Sequence, residues 1–195
     1  MKAYLNIFLS PILCVLVYSI FTYYDSFEYY PIFFGLIIGF LNWESHRFNP
    51  FYGVFLCVLL AFLSFIVSYF SLSIYDYLRE FLLNNTDSVI SDDAMREVGF
   101  IISPFVLAPF LVFLSFLFVF NIKKTKRVLL IIISSIVLLI LTALILYNIE
   151  VGDPYLFWQL IVALTVQLMI NEKPLREGDN LKPLIKILKT KKGKV

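Results

Sequence analysis

The sequence predicts an all-α integral membrane protein, a polytopic bundle of six transmembrane helices in which the second helix is short. Of the 195 residues, 61% are hydrophobic and 15% are charged, whereas a soluble domain is usually about 45–50% apolar and about 25% charged. In addition, all 16 Lys and Arg and all 14 Asp and Glu residues lie outside six charge-free stretches. A soluble domain of this length has too small a core to bury that much apolar surface, so the six stretches are predicted to lie in a bilayer.

The charge-free stretches set the boundaries of the predicted spans. A helix needs about 20 apolar residues to cross the hydrocarbon core, within a range of about 17–25. Five stretches meet that length, and the second, with 15 residues, falls short of it. We therefore predict a transmembrane bundle over residues 1–171 and a basic amphipathic cytoplasmic tail over residues 172–195, with spans at 3–24, 29–43, 48–75, 98–122, 128–149 and 154–171.

The charges between the spans predict the orientation, because Lys and Arg accumulate in cytoplasmic loops. If all six stretches cross the membrane, one side holds 14 of the 16 basic residues and the other holds 10 of the 14 acidic ones. Both termini are then cytoplasmic, and the protein is expected in the cell membrane (the inner or plasma membrane). The alternative is that residues 29–43 form a re-entrant segment, which reverses the side of every later loop relative to the N-terminus.

Tyrosine and tryptophan side chains stand at the predicted ends of the spans, where an apolar ring with a polar tip prefers to lie. Those at the predicted outer ends are Tyr23, Tyr24, Tyr29, Tyr30, Tyr75, Tyr77, Tyr147, Tyr155 and Trp158. The pair Tyr29-Tyr30 and Trp43 bracket the short second stretch, which favours the interpretation that it spans the membrane.

A GxxxG pattern, Gly35 and Gly39, lies in the second stretch. Two glycines one helical turn apart leave a groove where another helix can approach closely. They are expected to pack helices together within this chain, and the alternative is a face for self-association.

Small and amide side chains form polar stripes on two of the predicted helices. Gln159, Gln167 and Asn171 recur at multiples of four residues in the last span, and Ser64, Ser68 and Ser71 form a similar face on the third. Amides do not face lipid, so these stripes should point into the bundle. Their side chains either form structural hydrogen bonds between helices or line a path or pocket for an uncharged or amphiphilic substrate. Pro104 and Pro109 would loosen the fourth span beside such a pocket.

Two groups of polar residues are candidate contacts for lipid head groups. His46 and Arg47 lie between the second and third spans, where an arginine suits a phosphate and a histidine titrates near neutral pH. In the tail, Lys182, Lys186 and Lys189 lie opposite a leucine- and isoleucine-rich face, as in a helix that rests on an anionic inner leaflet. Interfacial anchoring accounts for Arg47 without any catalytic role.

Most catalytic chemistry is missing from the spans. No span holds a charged residue, and the chain has one His and two separate cysteines, which argues against proton-coupled transport and against known kinds of intramembrane protease. We expect no metal, no cofactor and no nucleic acid partner. The expected partners are the bilayer, with its anionic inner leaflet, and other membrane proteins or a second copy of the chain.

In length and number of spans alone, the chain resembles the substrate-binding subunits of energy-coupling-factor vitamin transporters, although it lacks their alanine-rich first helix. The leading functional hypothesis is a non-enzymatic helix-bundle subunit that binds other membrane proteins or lipid. The alternative is a transporter, or its substrate-binding subunit, for an uncharged or amphiphilic small molecule. The third hypothesis is a lipid-handling enzyme at the cytoplasmic interface, built around His46. A cavity bounded by Gln159, Gln167 and the Ser64 face would favour transport over the subunit.

Overall fold

The structure, a computed structural model, describes residues 2–85, 98–149 and 153–172, and over these ranges it is all-helical. It has six helices: α1 (Lys2–Tyr23), α2 (Tyr30–Leu41), α3 (Pro50–Asn85), α4 (Val98–Val119), α5 (Lys126–Ile149) and α6 (Pro154–Ile170). Two short 3₁₀ turns, Phe27–Tyr29 and Trp43–Ser45, flank α2, and α4 contains a π-helical turn at Ser103–Leu107.

Four of these helices are long and apolar enough to cross a membrane, namely α1, α3, α4 and α5, within the part of the chain that is described. The apolar segments Phe27–Leu41 and Pro154–Ile170 are shorter. The prediction of a helical membrane protein is therefore confirmed.

Helix α3 extends well past the end of the third charge-free stretch. Its 36 residues correspond to a length of about 54 Å, against about 30 Å for a hydrocarbon core. Asp76 and Arg79 continue the helix beyond the apolar stretch, and Nη1 of Arg79 lies 3.7 Å from Oδ1 of Asp76. Charges therefore mark where the apolar segment ends and not where the helix ends.

The helices pack in chain order around a closed ring, each against the next, with α6 returning to α1. Phenylalanine side chains of α4 fill the middle: Phe105, Phe113 and Phe116 are completely buried. Phe116 stacks on Phe34 of α2 with a centroid distance of 6.2 Å, and Phe34 also contacts Trp158 of α6 at 6.4 Å. Aromatic rings from three helices thus meet in the core.

The two ends of the bundle differ in their balance of charges. The end formed by the α2–α3 and α4–α5 loops, here called the basic end, carries Arg47, Lys123, Lys124, Lys126 and Arg127 against Glu44 and Glu172. The opposite end, here called the acidic end, carries Asp25, Glu28, Asp76, Glu80 and Asp153 against Arg79.

A backbone clip closes the basic end. The Arg47 N–H donates to the Val119 carbonyl at 2.9 Å, and the Asn121 N–H donates to the Ser45 carbonyl at 3.0 Å. These two bonds form an isolated antiparallel bridge between His46 and Phe120. The loop that enters α3 is therefore tied to the residues that leave α4.

Candidate functional site

The bundle contains a cavity of about 430 Å³ in the half nearer the acidic end. Side chains of α1, α2, α3, α4 and α6 line it. Its rim includes Thr22, Phe27 and Tyr69, which are exposed, and its floor includes Phe34 and Val112, which are buried. Among the described residues, the cavity is therefore closed towards the middle of the bundle, and its exposed lining residues lie on the side of the acidic end.

The shortness of α2 explains why this space is open. Gly35 lies against Val58 and Gly39 against Val54, an antiparallel register that puts Tyr30, the first residue of α2, level with Leu63 of α3. Helix α2 is only about 18 Å long, so α3 continues beyond it, and no other described helix takes the place of α2 on that side. Ser64, Phe65, Ser68, Tyr69 and Leu72, which line the cavity, lie in that continuation.

The π-helical turn of α4 forms one wall of the cavity. In this turn the Ala108 N–H donates to the Ser103 carbonyl, five residues back. The same register would pair the Pro104 carbonyl with residue 109, which is a proline and has no N–H. The Pro104 carbonyl instead accepts a hydrogen bond from Nε1 of Trp158 at 2.6 Å. The π turn and Pro109 thus free the Pro104 carbonyl, which fastens α4 to α6 beside the cavity.

Three serines join α3 to the same turn of α4. The Ser103 hydroxyl lies 2.6 Å from the Ser68 carbonyl and 2.7 Å from the Ser71 hydroxyl, and the Ser68 hydroxyl lies 3.1 Å from the Ser103 carbonyl. Ser68 and Ser103 line the cavity, while Ser64, which also lines it, donates to the Leu60 carbonyl of its own helix at 2.7 Å. These hydroxyl groups already have partners within the protein.

Two buried polar groups in the lining have no nitrogen or oxygen partner among the described residues. They are the hydroxyl of Tyr30 and Oε1 of Gln159, on side chains that are each 5% exposed. Tyr30 lies beside the thiol of Cys14, a weak hydrogen-bonding group. The described lining contains no Asp, Glu, Lys, Arg or His side chain. Chemically, the cavity suits an uncharged molecule that is mostly apolar.

The predicted polar stripe on α6 divides into two parts. Gln159 lines the cavity, whereas Gln167 and Asn171 lie nearer the basic end, where α6 is tightly packed. The Gln167 side chain is completely buried, and Asn171 donates from Nδ2 to the Gln167 carbonyl at 2.9 Å. Gln167 and Asn171 are therefore not part of the cavity wall.

On α3, the predicted serine face lies beside the cavity. Ser64 and Ser68 line it, and Ser71 contacts the wall through its bond to Ser103.

Sequence reasoning did not select Tyr30 or Trp158 for the site, because both rings were interpreted as interfacial. Pro109 is the signal that the sequence offers here, since its missing N–H leaves a carbonyl of the preceding turn without a helical partner.

Gly35 and Gly39 face α3 within the chain. A Cβ added to Gly35 would lie 2.5 Å from the Cα of Val58, and one added to Gly39 would lie 3.1 Å from the Cα of Val54. Because α3 covers this face, the glycine pair offers no surface for self-association.

His46 and Arg47 belong to the clip at the basic end, remote from the cavity. The His46 ring stacks on Phe120 at 4.7 Å, and its Nε2 lies 3.0 Å from the Gly39 carbonyl. Since a carbonyl only accepts, Nε2 carries the proton, and Nδ1 is buried with no partner among the described residues. Burial lowers the pKa of His46 below its ordinary 6.5, although the bond to Gly39 opposes this shift. Arg47 donates from Nη2 to the Leu117 carbonyl at 3.4 Å.

The remaining candidate residues, Lys182, Lys186 and Lys189, lie outside the described residues, as does the tail from residue 173 onwards. Cys14 and Cys57 are buried and free. No three His, Cys, Asp or Glu side chains come together over residues 2–85, 98–149 and 153–172.

Comparison of the chain with protein-family models, with curated proteins and with solved structures finds no match. The function therefore has to be argued from the geometry of the cavity.

Proposed function

We propose that the chain crosses the cell membrane six times, with both termini in the cytoplasm and the basic end of the bundle on the cytoplasmic side. The segregation of charges between the two ends supports this orientation. A reporter that is active only in the cytoplasm should be active when fused after Lys126 or Lys192 and silent after Asp87. Activity after Asp87 together with silence after Lys126 would overturn the orientation, and disagreement only after Asp25 would indicate a re-entrant second segment.

We propose that the protein binds an uncharged, largely apolar small molecule in the cavity, as a transporter or as the substrate-binding subunit of one. The observation that carries this proposal is a cavity of about 430 Å³ whose described lining has no charged side chain. Ligand sites are typically concave and mostly apolar, with a few polar groups that fix orientation. The proposed molecule would enter from the acidic end, where the rim residues are exposed.

The other two functional hypotheses have less support from the geometry. A dry, tightly packed bundle would favour a subunit that binds other membrane proteins, whereas this bundle contains a cavity lined by Gln159 and Ser64, with Gln167 outside it. An enzyme built around His46 needs a ring nitrogen that can exchange protons with a substrate. In the clip, Nε2 is bonded to Gly39 and Nδ1 is buried. Both hypotheses therefore rank below ligand binding.

Filling the cavity tests the proposal. Ala108 is buried and lines the cavity, so Ala108→Phe should place a ring where the ligand sits. Val137→Phe, on the exposed face of α5, is the matched control. Native mass spectrometry after release from detergent should show a small bound mass on the wild type and on Val137→Phe, and none on Ala108→Phe.

The contrary outcome has two parts. The wild type would show no bound mass after release from detergent, and Ala108→Phe would melt at a higher temperature than the wild type. A phenyl ring stabilises a protein when it fills a space that is empty, because it restores packing contacts. That result would identify the cavity as a packing defect and would refute ligand binding.

A further inference from the structure

The exposed part of the cavity lining lies on one side of the bundle. Its exposed residues are Thr22 of α1, Phe27 of the 3₁₀ turn before α2, and Tyr69 of α3. The described lining residues of α4 and α6 are all buried or half-buried. Helix α2 packs against both α1 and α3, and it begins only at Tyr30. Among the described residues, the mouth of the cavity therefore faces sideways, between α1 and α3, at the place that α2 leaves free.

This mouth lies at the depth of lipid chains. Phe65 and Tyr69 lie about 22 Å and about 28 Å along α3 from its start at Pro50, against about 30 Å for a hydrocarbon core. Asp76, the first charged residue of α3, follows about 10 Å beyond Tyr69. At the same level the Phe70 side chain is 61% exposed, as expected of a helix surface in contact with lipid. In a chain that crosses the membrane, the mouth therefore opens on acyl chains.

The polar side chains of the lining offer little to a polar ligand, because most have partners within the protein. The Tyr18 hydroxyl donates to Oδ2 of Asp153 at 2.8 Å, and Nε1 of Trp158 donates to the Pro104 carbonyl. The hydroxyl groups that bond backbone carbonyls are those of Ser64, Ser68 and Ser103. The described lining has no charged side chain, so a charged head group inside the cavity would be buried unpaired, at high cost. Hydrocarbon needs no polar partner and fits this lining best.

The volume of the cavity matches one lipid chain. An engineered protein cavity of about 150 Å³ holds benzene, and this cavity, at about 430 Å³, is about three times larger. It therefore has room for about 15–20 non-hydrogen atoms, by scaling from benzene. That is the size of a single acyl chain of a membrane lipid, and two chains would not fit.

We propose that the cavity holds one acyl chain of a bilayer lipid, which enters sideways between α1 and α3 while the lipid head group stays outside. This inference rests on the proposed ligand-binding function and names the chemical class of the ligand. An empty cavity lacks the dispersion contacts of a filled one, and apolar cavities do not hold water. The bilayer supplies chains at high local concentration beside the mouth, so a chain that enters restores those contacts.

Tryptophan fluorescence tests the position of the chain. Trp158 lines the cavity, whereas Trp43 packs against Phe40 and Phe51 at the basic end. Because the chain has two tryptophans, Trp43→Phe leaves Trp158 as the reporter. A bromine atom quenches an indole only at short range. The protein is placed in nanodiscs of palmitoyl-oleoyl-phosphatidylcholine, which is then replaced stepwise by the same lipid with a 9,10-dibromostearoyl chain in place of the oleoyl chain.

Trp158 should lose most of its fluorescence as the brominated lipid replaces the plain one. Filling the cavity should prevent most of this loss, and two variants fill it from different walls: Ala108→Phe on α4 and Ala61→Leu on α3, both at buried lining positions. Val137→Phe, on the exposed face of α5, is the matched control and should be quenched like its parent. All three substitutions are made in the Trp43→Phe background.

Two results would overturn the inference. In one, Trp158 keeps its fluorescence in brominated lipid; in the other, both filled variants are quenched as strongly as Val137→Phe. Native mass spectrometry of the same samples separates this failure from that of the proposed function. A bound mass that is absent from Ala108→Phe and differs from that of the nanodisc lipid would keep ligand binding and reject the lipid chain. Absence of both the quenching and any bound mass would overturn both.

Discussion

Gly35 of α2 and Val58 of α3 approach so closely that a Cβ added to the glycine would lie 2.5 Å from the valine Cα. Real Cβ atoms do not come this near to backbone, so any side chain at position 35 must separate the two helices. The contact also fixes the register in which α3 continues beyond Leu63 with α4 beside it and without α2. One close backbone approach therefore sets both the packing of α2 and the position of the cavity.

Gly35→Ala is expected to destabilise the protein by about 1–3 kcal/mol, the usual cost of overpacking a well-packed site. Gly39→Ala should cost less, because its Cβ would meet the Val54 Cα at 3.1 Å and two methyl groups that can shift. Thermal melts in a mild detergent compare the two variants. Equal melting temperatures for Gly35→Ala and the wild type would contradict the close approach.

Trp158→Phe should remove the donor to the Pro104 carbonyl and cost about 1–3 kcal/mol, since that carbonyl is left unsatisfied. The loss should shrink in a Pro109→Ala background, because Ala at position 109 restores an N–H that the π register directs at residue 104. A double-mutant cycle should give a coupling of at least about 0.5 kcal/mol. Strict additivity would show that Pro109 does not free this carbonyl.

Ser103→Ala is expected to destabilise the protein by about 0.6 kcal/mol and at most about 1.7 kcal/mol, the range measured for hydrogen bonds between membrane helices. Its hydroxyl contacts both Ser68 and Ser71. Ser73→Ala is the control, since that exposed serine bonds only the Tyr69 carbonyl of its own helix. Equilibrium unfolding in mixed detergent micelles measures the free energy of unfolding of both variants. A decrease for Ser73→Ala as large as that for Ser103→Ala would argue against the interhelical bonds.

Acidification should destabilise the basic end through His46. Burial lowers its folded-state pKa below 6.5, so the unfolded chain binds the proton more readily than the folded chain does. Stability should be constant above pH 6.5 and should decrease as the pH falls from 6.5 through the lowered folded-state pKa. His46 is the only histidine, so His46→Gln should flatten this part of the melting-temperature profile. A wild-type profile that is flat from pH 7.5 to pH 5.5 would refute the burial effect.

The positions of the helices could be predicted from the charge-free stretches because a membrane excludes charge whatever the fold. The first stretch, 3–24, corresponds to α1 at Lys2–Tyr23, and the last, 154–171, to α6 at Pro154–Ile170. The end of α3 has a signal of its own. Asp76 and Arg79 stop the apolar stretch without stopping the helix, because an ion pair at this spacing is compatible with helical backbone. Beyond them, Leu78, Phe81 and Leu82 predict a helix that continues to about Asn84-Asn85, and α3 ends at Asn85.

The candidate site was predictable only in part. Helical periodicity specifies which face of a helix a residue lies on, but it does not specify how far along the bundle that residue lies relative to the other helices. Gln159 and Gln167 share one face of α6, yet only Gln159 reaches the cavity. Tyr30 was interpreted as an interfacial anchor, since a short apolar stretch does not reveal where its helix begins relative to its neighbours. That level is set by contacts distant in sequence, such as Gly35 with Val58.

The clip at the basic end has a consequence for sequence variation. Its two hydrogen bonds, from Arg47 to Val119 and from Asn121 to Ser45, use backbone atoms alone, so no side-chain replacement at these positions removes their donors or acceptors, proline excepted. The loop that enters α3 can therefore change its side chains and stay joined to the end of α4.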